Sequence, residues 1–224
     1  MSCGLDYGET VATLLVDGLT ALGFHLVARH AEDFVGWTVH LSEPPFDFFL
    51  TGNGRDGSVV GRAFGNDGDL DDGGLLICQS KRPGEDLEES TIAIEGSSFF
   101  GFVETWYEEE ERAARFFVEG GQRAFLVSLP GGDREWVAGR EAEQVFELPH
   151  LDDVSFLADR VFVFHCGCDR EKITQHLVAR YGETPEALFG SERHVEVHCP
   201  RCGVKYSVTP EDYERWRGPG ASPR

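Results

Sequence analysis

Basic side chains are scarce in this sequence: 20 Lys and Arg stand against 40 Asp and Glu, a formal charge of -20. A surface that negative repels the phosphate backbone that dominates nucleic-acid affinity, so a nucleic-acid partner is not expected. The only basic concentration, Arg215-Trp216-Arg217 with Arg224, lies in a Pro/Gly tail. No apolar run approaches the roughly 20 residues that span a bilayer, so no membrane partner is expected. The first thirty residues carry Asp6, Glu9 and Asp17 and have no basic start followed by an apolar run, which argues against a secretory signal and leaves the cytoplasm as the expected location. Also missing are a Gly-x-x-x-x-Gly-Lys-Ser/Thr phosphate loop, a Gly-x-Ser-x-Gly elbow and a His-Glu-x-x-His helix. With those absences the chain is not expected to be an enzyme, and no internal repeat or low-complexity stretch suggests an array. Hydrophobic residues at 41% and charged residues at 27% describe an ordinary globular balance.

The apolar pattern predicts an α+β fold. Val11, Leu14, Leu15, Leu19, Leu22 and Leu26 recur at helical spacing within residues 8–30. Strand-like runs follow at Phe34 to Leu41, Phe46 to Leu50, Val59 to Phe64, Leu75 to Gln79 and Thr91 to Glu95. Pro44-Pro45, Gly52-Asn53-Gly54 and Asp71-Asp72-Gly73-Gly74 punctuate them, which suggests an antiparallel meander. Ser97 or Ser98 can cap a helix carrying Phe99, Phe102, Val103 and Trp106, whose far end is frayed by Glu108 to Glu111. Ala114 to Val118 and Gln122 to Leu129 then form a hairpin about Glu119-Gly120-Gly121. The expected organisation is an N-terminal antiparallel-sheet-and-helix domain over 1–130, a linker over 131–160, a small C-terminal domain over 161–213 and a flexible tail over 214–224. The linker mixes charge with scattered apolar residues and should pack onto something without a core of its own.

Thiols are also sparse, and four of the six gather late in the chain as Cys166-x-Cys168, thirty residues, then Cys199-x-x-Cys202. Two local pairs joined by a longer loop suit a tetrahedral zinc site, with Gly167 and Gly203 letting backbone amides turn toward sulfur. Arg170, Arg201 and Lys205 can offset the thiolate charge. Asp169 and Gly182 bracket a helix, Thr184-Pro185-Glu186 starts another, and His194 to His198 with Val204 to Val208 alternate as a hairpin whose turn holds the second pair. A site in which His165, His194 or His198 replaces a sulfur remains open. A thioredoxin-like Cys-x-x-Cys fits less well, since that motif opens a helix after a strand. Cys78 reads as a small buried hydrophobe, and Cys3 has no sequence-local partner.

This spacing, with Phe164 leading in, Asp169-Arg170-Glu171 after the first pair and Val195-Glu196-Val197-His198-Cys199-Pro200-Arg201-Cys202-Gly203-Val204-Lys205-Tyr206 closing it, resembles the redox-switch domain of the heat-shock protein 33 family. Gly96 to Val118 and Thr38 to Phe64 resemble the family's central helix and first hairpin more weakly. The resemblance implies an ATP-independent holdase chaperone that binds unfolded or partly folded client proteins under oxidative stress. It implies one zinc ion on Cys166, Cys168, Cys199 and Cys202 in the reduced state, and two disulfides, one within each pair, after oxidation. Compared with the family pattern the chain begins almost at its first helix and has a shorter connector. The first difference suggests a sheet edge that a second copy could cover in a homodimer. A constitutive zinc-containing interaction module without a switch is the alternative.

Overall fold

The computed structural model describes residues 7–66, 74–151, 154–182 and 184–217. Cys3, the Asp71-Asp72-Gly73 part of the third turn and Arg224 lie outside the described residues. The described chain divides into two compact units, one comprising Tyr7–His165 and the other beginning at Cys166.

The larger unit opens with α1 (Glu9–Val27), followed by β1 (Phe34–Leu41), β2 (Phe46–Asn53), β3 (Ser58–Gly65), β4 (Gly74–Lys81) and β5 (Glu88–Ile94). Next come α2 (Phe99–Glu109), β6 (Ala114–Glu119) and β7 (Gln122–Val127), two short helices α3 (Arg134–Ala138) and α4 (Ala142–Glu147), a 3-10 turn (Leu148–His150) and β8 (Val163–Phe164). The main sheet has the order β5-β4-β1-β2-β3-β8. It is therefore not a simple meander: β4 returns to pair with β1 on the side away from β2, and β8 joins parallel to β3. Pairing across a sheet is fixed by which faces bury together, and the local pattern along one strand does not report it.

Alternation along β1 sends Val35, Trp37, Val39 and Leu41 into the core. Helix α1 lays Leu22 and Leu26 over β2, where a Cβ on Gly52 would come within 2.4 Å of Leu26, so only glycine allows that approach. Phe48 and Phe99 meet edge to face at 5.2 Å, tying β2 to α2. Phe24, Phe100, Phe116 and Phe125 extend the core onto the β6–β7 hairpin, with Phe116 and Phe125 stacked at 4.3 Å. Burial of this much aromatic and aliphatic surface is the main source of stability. Helix α1, at 19 residues and mean hydropathy 1.6, is by length and composition apolar enough to cross a membrane, which the expectation of no such run had missed. Its buried face is here part of the protein core.

At the C-terminal end of α1, Asp33 is held by Arg29 at 3.1 Å and Arg82 at 2.8 Å. Burial opposes its ionisation, but the two guanidinium groups outweigh it and hold the carboxyl below its usual range. His25 is fully buried among Trp37, Trp106 and Tyr107, and neither ring nitrogen meets a protein hydrogen-bond partner. Desolvation, aided by Arg29 and Arg112, lowers its pKa to about 3.

Helix α2 is capped by Ser98 and ends at Glu109, after which Glu111 takes a left-handed φ of 57° and the Arg112 amide closes onto the Tyr107 carbonyl. The connector is more structured than expected. Asp133 caps α3, Glu141 and Gln144 form a reciprocal capping box at α4, and Val137 and Val145 are buried. The Arg115 guanidinium of β6 donates to the carbonyls of Ala138 and Arg140. Past Leu151 the described connector has no regular secondary structure before β8 and carries Phe156 and Leu157, 79% and 92% exposed.

The outer edge of β3 is covered from within the chain. The amides of Val163 and His165 donate to the carbonyls of Gly57 and Val59, and the Tyr7 hydroxyl both accepts from the Ala63 amide and donates to its carbonyl. The opposite edge, β5, displays Glu88 and Glu89, charges that discourage strand addition.

Candidate metal centre

The smaller unit contains α5 (Arg170–Tyr181), α6 (Pro185–Phe189), a hairpin of β9 (Val195–His198) and β10 (Lys205–Val208), and α7 (Pro210–Arg217). Asp169 accepts from the Lys172 amide to start α5, and Gly182, at φ 56°, ends it. Residues 214–217, expected in the flexible tail, are helical. Thr209 and Asp212 cap α7 reciprocally, and Tyr213 is fully buried with its hydroxyl donating to the Gly182 carbonyl at 2.8 Å. The apolar core is small: Ile173, Phe189, Val208 and Tyr213.

Two turns supply the thiols. Cys166 and Cys168 sit just before α5, about Gly167 at φ 65°, and Cys199 and Cys202 occupy the β9–β10 turn, closed by Gly203 at φ 76°. The Cys199 amide donates to the Val204 carbonyl and the Gly203 amide to the Cys199 carbonyl, both at 2.9 Å. These turns bring all four Sγ atoms within 4.8 Å of one another. Cys166 and Cys199 lie 3.6 Å apart, and Cys168 and Cys202 3.4 Å. Tetrahedral bonds of about 2.3 Å put neighbouring thiolates about 3.8 Å apart, so these spacings fit one zinc-sized ion. His165, His194 and His198 do not belong to the cluster.

Backbone amides complete the cradle. Burial raises the Cys199 thiol, but hydrogen bonds from the amides of Cys202 and Arg201 outweigh it and lower the pKa. Cys202 is raised, mainly by burial, against an amide hydrogen bond from Val204. Burial, with the neighbouring sulfurs, pushes Cys166 up to about 11. A divalent ion among the four sulfurs would favour their thiolate forms. Of the three basic residues expected to offset charge, Arg201 reaches the Cys166 carbonyl at 3.3 Å, while Arg170 and Lys205 are exposed. Lys172, which the pattern did not single out, reaches the Gly167 carbonyl. Nor did it single out Tyr206, whose hydroxyl lies 3.1 Å from the Cys168 sulfur and 3.0 Å from its carbonyl oxygen. The usable signal was position: Tyr206 lies on the strand leaving the Cys199–Cys202 turn. Cys78 is buried in β4, and burial pushes its thiol up to about 11.

The fold resembles that of a protein of known structure. The crystal structure of the 33 kDa chaperonin (heat shock protein 33 homolog) from Thermotoga maritima matches with a TM-score of 0.60 over 90% of this chain and 83% of that one, at 14% identity. The family model for Hsp33 protein matches residues 122–209. The 33 kDa chaperonin of Pectobacterium atrosepticum is 23% identical over 184 residues, 70% of this chain and 61% of the relative. That of Yersinia pestis is 23% identical over 161 residues, 60% of this chain and 55% of the relative. The chain thus spans less than two thirds of the length of these curated relatives. The chain is thus similar to Hsp33 proteins in its C-terminal part by family model, over much of its length to these relatives, and in fold.

Proposed function

We propose that this chain is an ATP-independent, cytoplasmic holdase whose four cysteines hold one zinc ion while reduced, and which binds unfolded clients once those cysteines are oxidised. The observation that carries this reading is the convergence of Cys166, Cys168, Cys199 and Cys202 in a unit with little apolar core of its own. Bound there, zinc supplies folding free energy, about 10–16 kcal/mol apparent in small zinc-finger peptides.

Oxidation consumes the ligands in pairs. One thiolate takes an oxygen from hydrogen peroxide, becoming a sulfenic acid as hydroxide leaves; the second thiolate attacks that sulfur, the S–S bond forms and the oxygen departs as a second hydroxide. The sulfur pair loses two electrons and the peroxide gains them. Pairing of Cys166 with Cys168 and of Cys199 with Cys202 leaves no thiolate for the ion.

The route to client binding runs through β8. The His165 amide that donates to Val59 directly precedes Cys166, so loss of order at the first cysteine pair frees the neighbouring rung. Beneath this segment an apolar groove of about 440 Å³ is lined by Val16, Leu19, Phe24, Val59, Phe162 and Phe164. Detaching Phe162 and Phe164 would open it, and sizeable exposed apolar surface is how proteins engage sticky partners.

One feature favours the constitutive alternative: Phe156 and Leu157 are already exposed while no disulfide joins the four cysteines. Light scattering from a chemically unfolded client, diluted with zinc-loaded reduced protein or with peroxide-treated, mildly heated protein, separates the readings. Suppression only after oxidation is expected. Equal suppression in both states would leave a constitutive interaction module, and none in either would remove the holdase.

A further inference from the structure

The four sulfurs are not hydrogen-bonded alike. Cys199 and Cys202 accept from backbone amides, of Arg201 and Cys202 for the first and Val204 for the second. At Cys168 the partner is instead a side chain, the half-buried Tyr206 phenol on β10. Strand pairing of Tyr206 with Val197 fixes that ring over the turn before α5. Its single proton has two acceptors within reach, the Cys168 sulfur at 3.1 Å and the Cys168 carbonyl at 3.0 Å.

We propose that Tyr206 is a positioning residue that restrains oxidation of Cys168 by donating its phenolic hydrogen to that sulfur. The inference rests on the metal-centre reading above and adds to it a residue that sets how readily the first cysteine pair is lost. Sulfur lone-pair density held by a donor is less available to peroxide, and the thiolate is a weaker nucleophile for either step of disulfide formation. The carbonyl alternative gives the rotor a second resting place once Cys168 has become part of a disulfide. Tyr206 is spent in neither step; it changes only the rate at which Cys168 enters them.

The test is Tyr206→Phe in the full chain, which keeps the ring and deletes the hydroxyl, alongside Ser207→Ala, an exposed neighbour on the same strand. Zinc content of the reduced proteins is measured first, then peroxide-driven zinc release with a chromogenic chelator, then the thiolate-to-metal charge-transfer band of cobalt-substituted protein. Expected are equal zinc content in all three, release on the order of tenfold faster in Tyr206→Phe alone, and a charge-transfer band moved to lower energy in that variant. Equal release rates with an unmoved band would overturn the role of Tyr206 while leaving the metal centre intact. Wild-type protein that binds no metal would overturn both readings. Reduced zinc content in Tyr206→Phe with an unmoved band would make the phenol a packing element and also overturn the proposal.

Discussion

The two units reach a folded state by different means. Tyr7–His165 buries a continuous cluster running from Val11 and Leu22 through Trp37, Phe48 and Leu50 to Phe99, Trp106 and Ala114. Cys166–Arg217 buries Ile173, Phe189, Val208 and Tyr213 around helices of 12, 5 and 8 residues and a hairpin of two four-residue strands, with Thr174, Cys199 and Cys202 also buried. Hydrophobic burial is insensitive to oxidants, whereas a centre of four sulfurs is not. One chain thus joins a body held by a large apolar core to a unit whose few buried apolar side chains accompany four clustered thiols.

The largest effect should come from the centre. Cys199→Ser, or a strong chelator, should sharply lower bound zinc and melt the smaller unit, while the melting of the larger unit stays in place; two-transition calorimetry and metal analysis read both. Full zinc occupancy in Cys199→Ser would contradict the ligand assignment. The converse is Phe48→Ala, which should cost the larger unit about 3–5 kcal/mol through an unfilled cavity and leave zinc content unchanged. A matching loss of zinc would mean that the two parts fold as one.

Acid sharpens the contrast within the larger unit. His25 has a folded-state pKa lowered to about 3 from 6.5, so it is neutral in both states above pH 6.5 and costs nothing there. As pH falls below 6.5 the unfolded chain gains a proton that the folded one excludes, and stability declines until pH approaches 3. The decline should be about 2 kcal/mol at pH 5, measured by denaturant melts, and His25→Leu should flatten it between pH 7 and 5. An unchanged slope in that variant would show that other groups carry the acid sensitivity. The smallest effect is local. Gly57, at φ 69°, would place a Cβ 2.3 Å from the Val161 carbonyl oxygen, so Gly57→Ala should loosen β8 by about 1–2 kcal/mol. Faster hydrogen exchange at Val163 and His165 with little change in overall melting is the expected signature; unchanged exchange would show that β8 is held by other contacts.

Much of this was legible in the sequence where the determinants are local. The limits of β1, the Ser98 cap, the Gly120-Gly121 turn and the Asp169 and Gly182 caps follow from residue types at fixed offsets, and so does the convergence of the four cysteines. What escaped depends on distant partners. The return of β4 to β1 is decided by burial on a shared face. The two-residue β8 has no pattern long enough to read. Helices α3 and α4 are too short to show a period and are stabilised by caps and by Arg115 from another strand. The tail reading of 214–217 failed because Tyr213 finds its acceptor 31 residues earlier, at Gly182. The Tyr206 contact with Cys168 joins a strand to a turn 38 residues away, a distance that spacing within one motif does not reveal.

The attachment of β8 can also be viewed as a mechanical joint. A long strand pulled along its axis shares the load among many rungs, but β8 pairs through two residues alone, and the bond from His165 to Val59 lies at the end where the chain leaves for Cys166. Tension arriving from a disordered C-terminal segment would meet the rungs one after the other, so the joint opens like a zipper from its tab and needs little force at any moment. The same economy makes it quick to reseat, since re-forming two rungs on a preformed β3 edge requires no rearrangement of the sheet behind it.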